Sequence, residues 1–114
     1  MNFSNEFGPL FPTENQQLMI EALKIKHTDF VLDVGGGGSP FQRADIIIDY
    51  DLHSGYHRDE NIAPIDNRWI AADIHSLPFT DKTFDFVYCS HVLEHTEDPQ
   101  KACEELMRVA HRGY

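Results

Sequence analysis

The chain has 114 residues, of which 41% are hydrophobic and 25% are charged. This length holds one domain with one core, and the apolar content is too high for an intrinsically disordered chain. Nine Lys and Arg residues oppose nineteen Asp and Glu residues, and the formal charge of -10 argues against nucleic acid as a partner. No segment reaches the ~20 apolar residues of a membrane span, no secretory leader is recognisable, and Cys89 and Cys103 lack a paired spacing. We therefore expect a cytoplasmic protein with reduced cysteines.

The apolar pattern predicts two helices and four strands. Thr13 is suited to cap a helix that runs to about His27. Pro99 opens a second predicted helix, which ends near His111. Residues 51 to 68 are polar and rich in turn formers, which predicts a surface loop. The predicted strands are the β-rich runs Phe30–Val34, Ala44–Asp49, Trp69–Ala72 and Phe84–Cys89.

These elements indicate an α/β fold. Strands that are continuous hydrophobic runs and alternate with helices are typical of a parallel sheet covered on both faces. We predict a single domain over residues 1–114, in which a helix at 13–27 precedes a sheet core at 30–114. Ligands of such sheets bind beyond the carboxyl ends of the strands, so the residues after each strand form the candidate site.

Three of these strand ends carry residues with binding chemistry. Glycines 35–38 would let the backbone turn and approach a ligand, although a turn without a ligand explains the same run. Asp49, or else Asp51, lies where nucleotide-binding sheets place an acid for ribose hydroxyls, and an ordinary solvated strand end is the alternative. Asp73 would accept a hydrogen bond from an adenine amino group while Ile74 covers the ring, unless Asp73 is only a turn residue.

A fourth segment matches a metal-binding pattern. His91-Val92-Leu93-Glu94-His95 has the H-x-x-E-H spacing of certain zinc peptidases. Such sites need a continuous helix and a third protein ligand, whereas this segment directly follows a predicted buried strand and precedes Thr96-Glu97-Asp98-Pro99. We interpret it as a loop at the mouth of the crevice and expect no metal.

The motifs together resemble a known family. Val31-Leu32-Asp33-Val34-Gly35-Gly36-Gly37 resembles the glycine-rich cofactor motif of class I S-adenosylmethionine-dependent methyltransferases. Residues 72–79, 84–95 and 105–109 resemble, in order, the family's LPF, FDxV, VLEH and E-x-x-RV succession, and the likeness extends from about Phe30 to the C-terminus. The resemblance implies a partial Rossmann-like sheet of about four strands in the order 3-2-1-4, with S-adenosylmethionine as cofactor.

The resemblance also implies roles for the first two strand ends. Gly35 and Gly37 would line the methionine portion of the cofactor, and Asp33 would support its amino group. Asp49 would hold the ribose hydroxyls.

The third and fourth strand ends have implied roles as well. Asp73 and Ile74 would hold adenine, and Ser90 and His91 would approach the sulfonium and the methyl acceptor. His91 is the one candidate for proton transfer, because imidazole titrates near neutral pH. Methyl transfer to a good nucleophile nevertheless depends mainly on alignment of the reacting atoms.

Two departures from the family pattern affect these expectations. Gly-Gly-Gly-Gly-Ser-Pro at 35–40 replaces the usual loop and helix, as in relatives with a shortened first crossover. The chain also stops at Tyr114, where the family continues into strands 5 to 7, so we expect those strands to be absent. The apolar strand Phe84–Cys89 would then be an exposed edge, which predicts a homodimer or a partner subunit there.

Two functions remain open. The first is a methyltransferase that acts on an unidentified small molecule or precursor. The second is a regulatory or vestigial module that binds S-adenosylmethionine or S-adenosylhomocysteine without independent catalysis. A nicotinamide-binding domain does not fit, because the third glycine and a full-length first crossover are missing.

Overall fold

The structure, a computed structural model, describes residues 13–35, 40–50, 67–89 and 92–114. The helices in these ranges are α1, Thr13–Ala22, α2, Pro99–Val109, and a short 3-10 helix, Leu93–His95. The strands are β1, Val31–Val34, β2, Ile46–Asp49, β3, Trp69–Ala71, β4, Phe84–Tyr88, and β5, Ala110–Gly113. Neither α1 nor α2 is long and apolar enough to cross a membrane.

The strands form one parallel sheet in the order β3-β2-β1-β4-β5. This confirms the predicted α/β fold and the order 3-2-1-4 of the first four strands. Successive side chains of a strand point to opposite faces. Val31 of β1 therefore joins the core beneath α1, which includes Met19, while Leu32 joins the core beneath α2, which includes Leu106. Helices cover both faces, which is why β1 is a continuous apolar run apart from Asp33.

α1 ends at Ala22, earlier than the sequence pattern predicts. Lys24 has a left-handed φ of +58°, the Ile25 N–H donates to the Ile20 carbonyl at 3.0 Å, and the Lys24 N–H donates to the Glu21 carbonyl at 3.1 Å. This is the Schellman arrangement that closes many helices, here with lysine in the position that glycine usually occupies. No glycine lies at this end of α1, so the apolar pattern of the sequence predicted a helix that continues beyond Ala22.

The chain contains a fifth strand, which corrects the expectation that strands 5 to 7 are all absent. β5 follows α2 directly and pairs with β4, with Phe84 opposite Ala110 and Val87 opposite Gly113. The strand β4 is therefore interior to the sheet, and the predicted exposed edge at Phe84–Cys89 is wrong. Because β5 covers that edge, β4 cannot pair there with a second copy or a partner subunit, as had been expected. The sequence did not predict this strand, because it is short and its middle positions are polar and exposed.

A side-chain contact fixes β5 against α1. The Arg112 guanidinium donates to the carbonyls of Leu23 and Lys24 at 2.7 and 2.6 Å, and it lies 4.9 Å from the centre of the Phe86 ring. These carbonyls belong to the unsatisfied end of α1, where a cation is favourable. The last strand of the described chain thus holds the end of the first helix.

The turn after β3 is clamped to α2 by two charged residues. The Arg108 guanidinium contacts the Glu105 carboxylate at 2.6 and 3.0 Å and donates to the carbonyls of Leu77 and Phe79 and to Asp81 Oδ1. Glu105 in turn accepts the Leu77 N–H at 2.8 Å. Hydrogen bonds from Arg108 hold the pKa of the Glu105 carboxyl below its usual value. The LPF and E-x-x-R segments are therefore held together by hydrogen bonds that satisfy polar groups of both.

Candidate functional site

The ends of β1, β2 and β3 lie at one edge of the sheet. Val34 of β1 pairs with Ile48 of β2, and Asp49 of β2 pairs with Ala71 of β3. Gly35 and Asp49, the next residues in the chain after that first pair, therefore lie side by side at this edge. The Gly35 N–H donates to the Ile48 carbonyl at 2.8 Å, which extends the pairing of β1 and β2 by one hydrogen bond. The fold thus brings together the strand ends that sequence reasoning selected.

Gly35 is required by the packing of the chain itself. Its φ is +76°, a conformation that residues with a side chain rarely adopt. A Cβ at this position would overlap Cγ2 of Val92, which comes from the segment after β4. The glycine therefore lets the loops that follow β1 and β4 approach each other. Gly37 lies outside the described residues.

Asp33 is a buried carboxyl in β1, two residues before Gly35. Only 2% of the residue is exposed, and its Oδ2 accepts the Phe41 N–H at 2.7 Å. Burial raises the pKa of Asp33 to about 7, and the nearby charge of Asp49 acts in the same direction. The Phe41 N–H and the charge of Arg68 oppose this rise. The observed role of Asp33 is to fix the backbone at Phe41 against β1.

The raised pKa predicts a pH-dependent stability. Between pH 3.8 and about 7 the folded chain keeps the Asp33 proton while the unfolded chain loses it. The stabilising contribution is full below pH 3.8 and decreases by up to about 1.4 kcal/mol per pH unit across this window. Asp33→Asn keeps an oxygen acceptor for the Phe41 N–H and cannot titrate. Urea unfolding at pH 5, 6, 7 and 8 should show the variant gaining stability relative to wild type as pH rises, whereas parallel curves would contradict the assignment.

Gln16 is a part of this region that sequence reasoning missed. Its side chain is buried on α1, where Nε2 donates to the Pro40 carbonyl at 3.3 Å and Oε1 accepts the Gln42 N–H at 2.8 Å. Gln16 thereby joins α1 to the backbone at Pro40 and Gln42. In the sequence, Gln16 precedes Met19 by three residues, so both lie on the same face of the helix. Met19 is buried, so this is the face of α1 that packs against the sheet.

Asp49 is half-buried at the end of β2. Its backbone carbonyl accepts the Ala72 N–H at 3.1 Å, which extends the pairing with β3. The carboxylate lies near enough to Asp33 for its charge to affect the pKa of that group. Asp51, the alternative for the same role, lies outside the described residues.

Asp73 forms the turn after β3, as the simpler interpretation predicts. Its Oδ1 accepts the His75 N–H at 2.9 Å and contacts His75 Nδ1 at 2.7 Å, while its backbone carbonyl accepts the Ser76 N–H at 3.0 Å. The Asp73 side chain remains 49% exposed. Ile74 is partly buried against the core beneath α2. The turn uses only Oδ1 of the Asp73 carboxylate. No role for His75 was predicted from the sequence.

The segment after β4 is described from Val92 onward, so Ser90 and His91 lie outside the described residues. The stretch Leu93–His95 forms a 3-10 helix rather than the continuous α-helix that an H-x-x-E-H zinc site needs. Within residues 13–35, 40–50, 67–89 and 92–114, no three His, Cys, Asp or Glu side chains are grouped to hold a metal ion.

Comparison with known proteins connects this arrangement to a family. The family model described as a methyltransferase domain matches residues 32–113. The chain is 29% identical to demethylmenaquinone methyltransferase of Paenarthrobacter aurescens over 86% of the chain and 41% of that protein. It is 33% identical to an uncharacterized protein of Methanocaldococcus jannaschii over 96% of the chain and 46% of that protein. The chain thus spans less than half the length of these curated relatives.

Solved structures agree at the level of the fold. A SAM-dependent methyltransferase from Aquifex aeolicus superposes with a TM-score of 0.62 at 18% identity. The match covers 96% of this chain and 68% of that chain. At this identity the likeness extends to the architecture alone.

Proposed function

The chain belongs to the methyltransferase domain family, and from this premise we propose that it binds S-adenosylmethionine beyond the carboxyl ends of β1, β2 and β3. One observation carries the proposal: these adjacent strands each bring a carboxylate to the same end of the sheet, with Asp33 buried one residue before the end of β1, Asp49 half-buried at the end of β2 and Asp73 exposed after β3. We further propose that the protein transfers a methyl group to a small molecule or precursor.

The acceptor groups of the edge match the donors of the cofactor. S-adenosylmethionine carries an ammonium group, two ribose hydroxyls and an adenine amino group, all of which donate hydrogen bonds, and carboxylates accept them. Adjacent strands are ~4.8 Å apart, so β1 to β3 spans about 10 Å, which suits a nucleoside with an amino acid attached. When bound, the cofactor would supply a methyl group on a positively charged sulfur.

The proposed roles follow the order of the strands. Gly35 and Gly37 line the amino-acid portion, and Asp33 beneath them supports the ammonium group. An ammonium above the loop would favour the ionised form of Asp33, whose pKa of about 7 leaves both forms accessible near neutral pH. Asp49 accepts from the ribose hydroxyls.

The remaining proposed roles concern the adenine and the reaction. Asp73 accepts from the adenine amino group, and Ile74 borders the ring. Ser90 and His91 approach the sulfonium and the methyl acceptor. Alignment of the acceptor against the methyl group provides most of the rate, with His91 as the candidate to take a proton from an acceptor that must lose one.

Calorimetric titration with S-adenosylhomocysteine tests the proposed site. We expect micromolar binding by wild type, about -8 kcal/mol, and at least about tenfold weaker binding by Asp49→Ala and by Asp73→Ala, because each loses a charge-assisted hydrogen bond. Glu104→Ala is the control, since it also removes one negative charge but lies exposed on α2. Equal weakening in all three variants would indicate a general charge effect and would count against the proposed contacts.

A further inference from the structure

His75 links the end of β3 to the start of α2. On one side, its Nδ1 lies 2.7 Å from Asp73 Oδ1. On the other side, the backbone N–H of Asp98 donates to His75 Nε2 at 3.2 Å. Asp98 caps α2, because its carboxylate accepts the Lys101 N–H at 3.1 Å. The imidazole thus bridges a proposed ligand contact and a helix cap.

The two contacts determine the form of the imidazole. Since Nε2 accepts a hydrogen bond from Asp98, it carries no hydrogen, and Nδ1 must then be the protonated nitrogen of the neutral ring. Nδ1–H therefore donates to Asp73, in addition to the backbone N–H of His75. These two hydrogen bonds lower the pKa of the Asp73 carboxyl, which keeps this exposed side chain ionised.

Both donors of His75 contact the same oxygen of Asp73. They fix the orientation of the carboxylate, and among the described residues no hydrogen bond is made to Oδ2. Oδ2 is thereby left as an acceptor. The turn itself is also held on its far side, where Glu105 accepts the Leu77 N–H. The carboxylate is therefore preorganised before any ligand arrives.

We infer that His75 is a positioning residue that orients Asp73 Oδ2 as an acceptor and thereby makes the site selective for a purine with a 6-amino group. The inference rests on the proposed function, since it concerns the adenine end of the same site. A base with a 6-oxo group would place an oxygen against the carboxylate. An oriented, ionised acceptor rejects such a base, whereas a carboxylate held only by the backbone N–H of residue 75 can rotate about that single hydrogen bond and discriminates less.

The test compares two ligands on four proteins. S-adenosylhomocysteine and S-inosylhomocysteine differ in the 6-position of the purine, where an oxo group replaces the amino group, and in N1, which then carries a hydrogen. Calorimetry gives Kd for each ligand with wild type, His75→Ala, His75→Asn and His75→Gln. The Kd ratio of the two ligands is measured on the same sample, so it is unaffected by a variant that folds less completely.

The variants separate the two contacts of the imidazole. The asparagine amide nitrogen reaches the position of Nδ1 and can still donate to Asp73, but no atom replaces Nε2. The glutamine side chain reaches the position of Nε2 and can still accept the Asp98 N–H, but no donor remains at Nδ1. A positioning role requires that His75→Asn keep the selectivity and that His75→Gln and His75→Ala lose it.

We expect wild type and His75→Asn to prefer the adenine ligand by roughly tenfold or more, and His75→Gln and His75→Ala to fall below about threefold. A ratio that is the same in all four proteins would overturn the inference while leaving the cofactor site intact. Loss of selectivity in His75→Asn with retention in His75→Gln would also overturn it, because the contact to α2 would then be the important one. Absence of S-adenosylhomocysteine binding by wild type would instead remove the proposed function itself.

Discussion

Replacing Glu105 by alanine is expected to lower the free energy of unfolding by about 2 kcal/mol, because the buried Leu77 N–H loses its acceptor and the half-exposed Arg108 loses its carboxylate partner. The residue is 7% exposed and accepts from Arg108 and from the Leu77 N–H. Without it, the Leu77 N–H loses its acceptor in a buried place and the guanidinium loses its carboxylate. Urea unfolding followed by circular dichroism measures the difference.

The neighbouring acid provides a matched control for this prediction. Glu104→Ala removes the same functional group from an exposed position on the same helix and should change the free energy of unfolding by no more than about 0.5 kcal/mol. The contribution of Glu105 is also pH-dependent. Its pKa is lowered in the folded state, so its stabilisation is complete above the unfolded value of 4.5 and is lost as pH falls through the folded value. Equal effects of the two substitutions would contradict the clamp between α2 and the turn after β3.

Replacing Gly35 by alanine is expected to lower the free energy of unfolding by about 2 kcal/mol or more, since a positive φ and a steric overlap act together. The backbone φ is +76°, and the added Cβ would overlap Cγ2 of Val92. Thermal and urea unfolding of the variant provide the measurement.

A second substitution separates the two causes. Val92→Ala removes Cγ2, and the remaining Val92 Cβ lies 3.5 Å from the added carbon, which is an ordinary contact. In the double variant Gly35→Ala, Val92→Ala the overlap is relieved and the cost of the positive φ remains. The double variant should therefore lose about 1 kcal/mol less than the sum of the single losses. Strict additivity would show that Val92 does not pack against Gly35.

The sheet was predictable because its strands are continuous apolar runs of the correct length. Ile46–Asp49 and Phe84–Tyr88 lie within the ranges predicted from such runs, and the strand order followed from the family resemblance. The strand-end acids were predictable for the same reason, since a charged residue directly after a buried run lies at the edge of a parallel sheet. The glycine run predicted a backbone turn, and Gly35 has the positive φ of such a turn, but its observed neighbour is Val92, which no local pattern could reveal.

The features that escaped prediction depend on partners far away in the sequence. The buried carboxylate of Glu105 and the buried amide of Gln16 are stable only because Leu77, Arg108 and Gln42 satisfy them across the fold. His75 likewise contacts Asp98, which is 23 residues away in the sequence. The residues of β5 form a strand only because they pair with the edge of β4. The stop of α1 at a left-handed lysine belongs to the same group, because local propensity does not favour it.

The most direct test of the cofactor site is a nitrogen-15 correlation spectrum of the chain titrated with S-adenosylhomocysteine. We expect the amide signals of Gly35, Tyr50 and Ile74, at the carboxyl ends of β1, β2 and β3, to shift in a saturable manner. The amides of Phe30, Asp45 and Phe84, at the opposite ends of the strands, should remain in place. Saturable shifts centred on those opposite ends, or an unchanged spectrum at saturating ligand, would contradict the proposed site.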